Sequence, residues 1–343
     1  MGDFWYNSVC VFRHIENNVS IVLKRMCDMN KKKALLITNP CSGIDRKRIS
    51  AEEIMEKLSP ADFEFTVEAT KGPNDATEIV KELGNDHDIV ICCGGDGTLN
   101  ETINGVLALD KRVPVGYIPS GSTNDLAATL GIADGLDSAA QMILGNKTNT
   151  YDVGMFGDRY FNYIASFGIA SDLPYTTPQS WKNKFGHNAY VYYGVGVRFI
   201  PMLSGFKPTR MRVEFDGGVV EDDFYFGAIT NTTSVAGVFK YDNIKLNDGY
   251  FELLLVRGLK RNIDAIGILN KIISKDYSGK NIIFTKTKHV KITCSEKVAW
   301  TLDGEFGGEI GDVDIRVLDD AYDIYSENNN LFAEKEDAEY IEE

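Results

Sequence analysis

The stretch that most constrains this chain is 89–104, IVICCGGDGTLNETIN. A run from Ile89 to Cys93 stops at Gly94-Gly95-Asp96-Gly97-Thr98, and a helical pattern begins at Leu99. The run has the length of a buried parallel strand. The glycines permit a tight loop that opens straight into a helix. At such a junction free N–H groups and the helix dipole favour a bound phosphate. Asp96 sets a carboxylate inside that loop, where a metal-bound phosphate would lie. The loop is neither GxxxxGK[ST] nor GxGxxG, so it is a phosphate loop of another kind.

Around this stretch strands alternate with helices. Ala34–Thr38, Phe63–Val67, Ile89–Cys93 and Val113–Ile118 read as strands. Ile49–Leu58, Pro73–Leu83, Leu99–Leu109, a segment from Leu126, and Leu136–Leu144 read as helices. The alternation argues for a parallel sheet in an α/β domain, whose ligands bind beyond the C-terminal ends of the strands. Three polar loops fall at those ends: Asn39-Pro40-Cys41-Ser42-Gly43, Gly94–Thr98 and Ser120–Asp125. One alone is as readily a tight βα turn; three in succession point to one site.

After about residue 150 the texture becomes β-rich. Val153–Gly157, Tyr160–Phe167, Met211–Phe215, Phe224–Thr230, Tyr250–Val256, Asn281–Thr285, Val290–Cys294 and Val298–Leu302 read as strands, and Ile263–Ile273 as a helix. A sandwich or partly closed barrel is expected. Residues 174–208 interleave aromatics with Lys182, Lys184, Arg198 and Lys207. A core-packing helix is the plain explanation; the alternative is an amphipathic surface near an apolar substrate. Residues 1–30 are expected to lie outside the compact core, and 333–343 form an acidic tail.

The formal net charge of −14 speaks against nonspecific nucleic-acid binding. The six cysteines form no CxxC pair and the four histidines are scattered, so reduced thiols and no zinc site are expected. No apolar run approaches the roughly 20 residues needed to span a bilayer.

GGDGTLNETINGV, then IPSGSTNDLA, then LNDGYFELL and TLDGE, in that order, resemble the diacylglycerol kinase catalytic domain family over roughly residues 32–330. The soluble bacterial diacylglycerol kinases are most similar; sphingosine, ceramide and NAD kinases are more distant. The resemblance implies an α/β nucleotide domain of NAD kinase type over 31–150, a β-rich domain over 151–320, and an active site in the cleft between them. It also implies that about 321–332 returns to the first domain. Asn39, Pro40, Cys41, Ser42 and Gly43 correspond to the family's first nucleotide loop. Thr70 is a further contact, Gly95, Asp96, Gly97, Thr98, Leu99, Asn100 and Glu101 the main ATP loop, and Ser122 a further phosphate contact. A structural Mg²⁺ is implied at the Asp248 carboxylate, with the carbonyls of Lys245 and Tyr250. A plain Asp-Gly turn, as at Asp216-Gly217, is the alternative there. Glu305 is implied as general base.

On these grounds the chain is expected to be an ATP-dependent lipid kinase. Diacylglycerol is the first acceptor to consider, and a sphingoid base or other lipid alcohol the alternative. An NAD kinase or a silent nucleotide-binding regulator fits the motifs less well. Asp96 and Asp125 are the carboxylates expected near a catalytic Mg²⁺, and Asp303 is expected either to order its loop or to act directly. The expected setting is cytoplasmic, with reversible contact at the inner face of the membrane. Exposed β edges make a homodimer an open expectation.

Overall fold

The computed structural model describes residues 31–42, 49–121, 124–132, 135–168, 207–235, 239–241, 243–258, 267–268, 270–272, 274–327 and 329–333. The first half runs β1 (Lys33–Thr38), α1 (Ala51–Lys57), β2 (Glu64–Ala69), α2 (Asp75–Leu83), β3 (Ile89–Gly94), α3 (Asp96–Val106), β4 (Val115–Pro119), α4 (Asp125–Leu130) and α5 (Leu136–Leu144). The four strands pair in parallel in the order β2-β1-β3-β4. Parallel strands covered on both faces need continuous apolar runs. Ala34–Ile37 and Ile89–Cys93 supply them, and all are buried. α1 opens on a capping box between Ser50 and Glu53. α3 starts at Asp96, three residues before the periodicity suggested, because the GGDGT loop itself forms the helix's first turn.

The second half runs β5 (Thr148–Phe156), β6 (Arg159–Phe161), β7 (Ile164–Gly168), β8 (Thr209–Phe215), β9 (Gly218–Thr230), β10 (Ser234–Val235), β11 (Phe239–Lys240) and β12 (Phe251–Arg257). It continues through β13 (Ile282–Thr287), β14 (His289–Cys294), β15 (Val298–Leu302), β16 (Glu305–Ile310) and β17 (Val313–Tyr325). Its pairings are antiparallel, in the order β16-β15-β7-β9-β8-β14-β17. Trp300 on β15 meets Phe156 on β5 at 5.0 Å and Phe167 on β7 at 4.9 Å between ring centroids. Phe161 on β6 meets Phe251 on β12 at 5.5 Å. The sheet therefore curls round one aromatic core, where each buried ring contributes about 1.5–3 kcal/mol.

β17 joins the halves. It pairs antiparallel with β14 and β5, and at Ile324↔Val115 it pairs in parallel with β4. Tyr322, Ile324, Tyr325 and Phe332 are buried in the same core as Leu35 and Val90. One continuous sheet thus carries both halves. Between Leu318 and Tyr322 the β17 register shifts, with Asp320 at φ 51.

Two expectations change. Tyr160–Phe167 is two strands, β6 and β7, parted at Asn162-Tyr163. β16 and β17 are strands the patterning hid: Gly307-Gly308 and the acids at 319, 320 and 323 interrupt the alternation. Of the expected helix Ile263–Ile273, residues 267–268 and 270–272 are described, and these are helical. Gly43, Ser122, residues 1–30 and 334–343, and the aromatic and basic stretch up to 206 lie outside the described residues.

Candidate active site

Three loops meet beyond the C-terminal ends of β1, β3 and β4. Asn39 follows β1, and its Nδ2 donates to Thr98 Oγ1 at 2.8 Å, while its Oδ1 accepts from Cys41 N at 2.9 Å. Ser42 Oγ lies 2.6 Å from Ser120 Oγ. The backbones of the other two loops touch at glycines. A Cβ on Gly121 would stand 2.5 Å from Gly95 Cα, so no larger residue fits there without moving the loops apart. The first turn of α3 faces the space they enclose. Its first intrahelical bond is Leu99 N to Gly95 O at 3.0 Å, which leaves the N–H groups of Asp96, Gly97 and Thr98 as the donors of a helix start. Pro40 and Cys41 are exposed beside it. Thr70 follows β2, two strands away from β3, its N–H bonded to Thr38 O.

Asp96 turns to the next helix. Its Oδ2 accepts from Asp125 N at 3.1 Å and its Oδ1 from Leu126 N at 3.4 Å, so it caps α4. Burial, and next the Asp125 charge, push the Asp96 carboxyl up to about 7, against the pull of those two N–H groups. Asp125 itself is buried. The two acids expected near a metal are thus adjacent, and the first also builds the second's helix.

Opposite stands the β15–β16 turn. Glu305 Oε1 lies 3.6 Å from where a Cβ on Gly97 would be, so glycine there leaves room for the carboxylate over the loop. Asp303, at φ 47 in the same turn, is 4% exposed. Its Oδ1 accepts from Tyr163 N at 2.9 Å and Ile164 N at 3.0 Å. Its Oδ2 accepts from Asn162 N at 2.6 Å, Asn162 Nδ2 at 3.3 Å and Asn100 Nδ2 at 2.6 Å. A carboxylate with five donors orders its surroundings and has little capacity left for proton chemistry. Of the two roles expected of Asp303, the geometry matches loop ordering.

Three residues placed on the ATP loop by resemblance have other duties. Leu99 is buried and its N–H is already bonded. Asn100 spends its amide on Asp303. Glu101 accepts from Asn74 N at 2.8 Å and Ala76 N at 3.2 Å, so its carboxylate serves the start of α2. Successive residues of a helix point in different directions, so Leu99 meets the core, Asn100 the β15–β16 turn and Glu101 the start of α2.

The Lys245–Tyr250 loop lies between the C-terminal segment and an acidic pocket. Lys245 Nζ donates to Asn330 O at 2.7 Å and Phe332 O at 3.0 Å, so only its carbonyl remains for a cation. Asp248 Oδ1 accepts from Tyr250 N at 3.1 Å, and its Oδ2 is 2.6 Å from Lys286 Nζ. A lysine ammonium therefore stands where the Asp248 carboxylate would hold a metal, and the donor set fits a cation. Beside it, Asp152 Oδ2 accepts from Gly249 N at 2.7 Å and its Oδ1 from Asp320 N at 2.8 Å. One carboxylate oxygen each from Asp152, Asp319 and Asp320 falls within 4.8 Å of the others. Burial, with the Asp319 carboxyl alongside, pushes Asp152 up to about 7. Sequence reasoning missed Asp152 and Asp319. The signal for Asp152 was an acid inside the apolar run Tyr151-Asp152-Val153.

Two phosphate-ready loops facing a carboxylate across a cleft define a phosphotransferase site. The family model for the diacylglycerol kinase catalytic domain matches residues 33–156. A diacylglycerol kinase from Bacillus subtilis (strain 168) is 34% identical over 282 residues, covering 81% of this chain and 91% of the relative. One from Staphylococcus carnosus (strain TM300) is 32% identical over 284 residues, covering 82% and 90%. The crystal structure of a diacylglycerol kinase from Bacillus anthracis str. Sterne shares the fold at TM-score 0.66 and 22% identity, over 87% of this chain and 98% of that one. The chain belongs to the diacylglycerol kinase family. It is a lipid kinase of that family, with ATP as phosphoryl donor. Among the described residues no helix is long and apolar enough to cross a membrane.

Proposed function

We propose that this lipid kinase transfers the γ-phosphate of ATP to the free hydroxyl of diacylglycerol, giving phosphatidate. The observation that carries this is the approach of Glu305 to Gly97 from the opposite side of the cleft. The ATP phosphates lie against the N–H groups of Asp96, Gly97 and Thr98 and the Asn39–Ser42 loop, and the Ser122 hydroxyl is a further phosphate contact on its sequence alone. Glu305 takes the proton of the lipid hydroxyl as its oxygen attacks phosphorus. Asp303 holds the turn that carries Glu305. Asp96 and Asp125 present carboxylates beside the phosphates.

Mg²⁺ bound at Asp96 and Asp125 would neutralise phosphate charge, which no lysine in the loop does. Asp248, with the carbonyls of Lys245 and Tyr250, would hold the structural ion.

The lipid acceptor stays in its bilayer, so contact is peripheral and reversible, at the inner face of the membrane of a cytoplasmic protein. We assign that contact to the stretch 181–207, on its sequence alone. A homodimer would form through an open sheet edge, β2 or β16.

A radiolabelled ATP assay over diacylglycerol, sphingosine, ceramide, monoacylglycerol, undecaprenol and NAD tests the acceptor. Label on diacylglycerol above all others is expected. Label on sphingosine instead would replace the acceptor, and label on NAD alone would overturn the proposed function. Vesicle sedimentation with Lys182→Glu and Lys184→Glu together tests the surface: binding is expected to fall, and unchanged binding contradicts the assignment.

A further inference from the structure

Lys286 and Glu252 are cross-strand partners, paired directly in the β12–β13 register, so their side chains rise from the same face of the sheet. Asp248 reaches that face from the preceding loop. Lys286 Nζ lies 2.6 Å from Asp248 Oδ2 and 3.8 Å from Glu252 Oε1. Two carboxyl groups thus face one ammonium, and they share it unequally. Glu252 is 2% exposed, and its Oε2 is buried without a hydrogen-bond partner. A buried carboxylate oxygen in that condition is costly. Lys288, the other nearby cation, sits over the Tyr250 ring at 4.6 Å.

We infer that Lys286 is a tethered counter-cation that occupies Asp248 until a divalent ion displaces it, and that Glu252 is the berth it then takes. This rests on the metal role proposed for Asp248. From 3.8 Å to a normal charge-assisted distance near 2.8 Å the ammonium moves by at least about 1 Å, and its withdrawal from Asp248 adds to that, within the reach of a flexible lysine side chain. Lys286 is 43% exposed, so the movement disturbs little packing. The exchange leaves Asp248 on a divalent ion and Glu252 on an ammonium. Metal occupancy is thereby coupled to a charge pair inside the β-rich half, and the empty site avoids an uncompensated Asp248 carboxylate.

Manganese binding to the full-length, nucleotide-free protein, followed by the loss of the free Mn²⁺ electron paramagnetic resonance signal, tests the inference. Asp248→Asn identifies the relevant site by its disappearance. Lys286→Met is expected to bind several-fold tighter, because the competitor is gone. Glu252→Gln is expected to bind several-fold more weakly, because the displaced ammonium has lost its berth. In the Lys286→Met background Glu252→Gln is expected to have no further effect. That non-additivity separates a shared lysine from simple attraction between Glu252 and the metal. Equal or weaker binding by Lys286→Met overturns the inference, as does an undiminished Glu252→Gln effect in the double variant. A wild-type protein with no Asp248-dependent site overturns the metal role of Asp248 and the inference with it.

Discussion

Asn100 Nδ2 donates to Asp303 Oδ2 at 2.6 Å, across a sequence separation of 203 residues. Asn100 is on the phosphate-loop helix, three residues beyond Gly97, and Asp303 is two residues before Glu305. This bond ties the loop that binds phosphate to the turn that carries the base. Asn100→Ala is expected to lower kcat about tenfold or more with nucleotide affinity kept, since removing a charge-assisted hydrogen bond is worth about 1.5–3 kcal/mol. Asp303→Ala strands five donors and is expected to cost at least about 3 kcal/mol of folding stability. Urea midpoints and steady-state kinetics on both variants check this. Equal turnover in Asn100→Ala would show that the link does not position Glu305.

The contact of Gly121 with Gly95 gives a second prediction. Gly121→Ala would push the Ser120–Asp125 and GGDGT loops apart, because its new Cβ meets backbone that cannot rotate away. Nucleotide affinity is expected to fall at least tenfold, with about 1–3 kcal/mol of stability lost to overpacking. Gly72→Ala, with nothing within 4 Å, is the control and should leave both unchanged. Titration with a fluorescent ATP analogue reads the first quantity and thermal unfolding the second.

Glu101 separates family resemblance from geometry. Its carboxylate accepts two N–H bonds at the start of α2. Glu101→Ala is expected to lower stability by about 1–3 kcal/mol, with the KM for ATP unchanged. A rise in KM without a change in stability would return Glu101 to the nucleotide site.

Asp96 makes stability depend on pH. Its carboxyl titrates near 7 in the folded chain and near 3.9 when unfolded. The folded state therefore keeps a proton that the unfolded chain has already released. That contribution is complete below about pH 4 and is lost as pH rises through about 7. In ligand-free protein Asp96→Asn should flatten the decline in stability between pH 5 and pH 8, measured as unfolding midpoints in urea. A decline unchanged by the substitution would assign it to other groups.

Much of the first half was legible because its signals are local. A buried parallel strand is a run such as Ile89–Cys93, and a phosphate loop is a glycine cluster at its end. The second half depends on pairings far apart in sequence. β17 contacts β4, β5 and β14 at once, and nothing within its own thirteen residues announces three partners. The site divides in the same way. Asp96, Asp125 and Asp248 could be singled out from motifs. That Asp96 caps α4, that Asp303 gathers five donors, and that Lys286 sits on Asp248 are relations between side chains brought together by tertiary structure. At Leu99, Asn100 and Glu101 the motif runs on along α3, and tertiary structure engages their side chains in the core, on Asp303 and at the start of α2.

Glu305→Gln is the most direct test of the central claim that Glu305 activates the lipid hydroxyl over the GGDGT loop. The substitution keeps size and removes the base, on an exposed residue at the start of β16. Turnover with the acceptor selected by the panel is expected to fall by about 10²- to 10⁴-fold, with nucleotide affinity and unfolding midpoint unchanged. Near-normal turnover in Glu305→Gln would contradict the account.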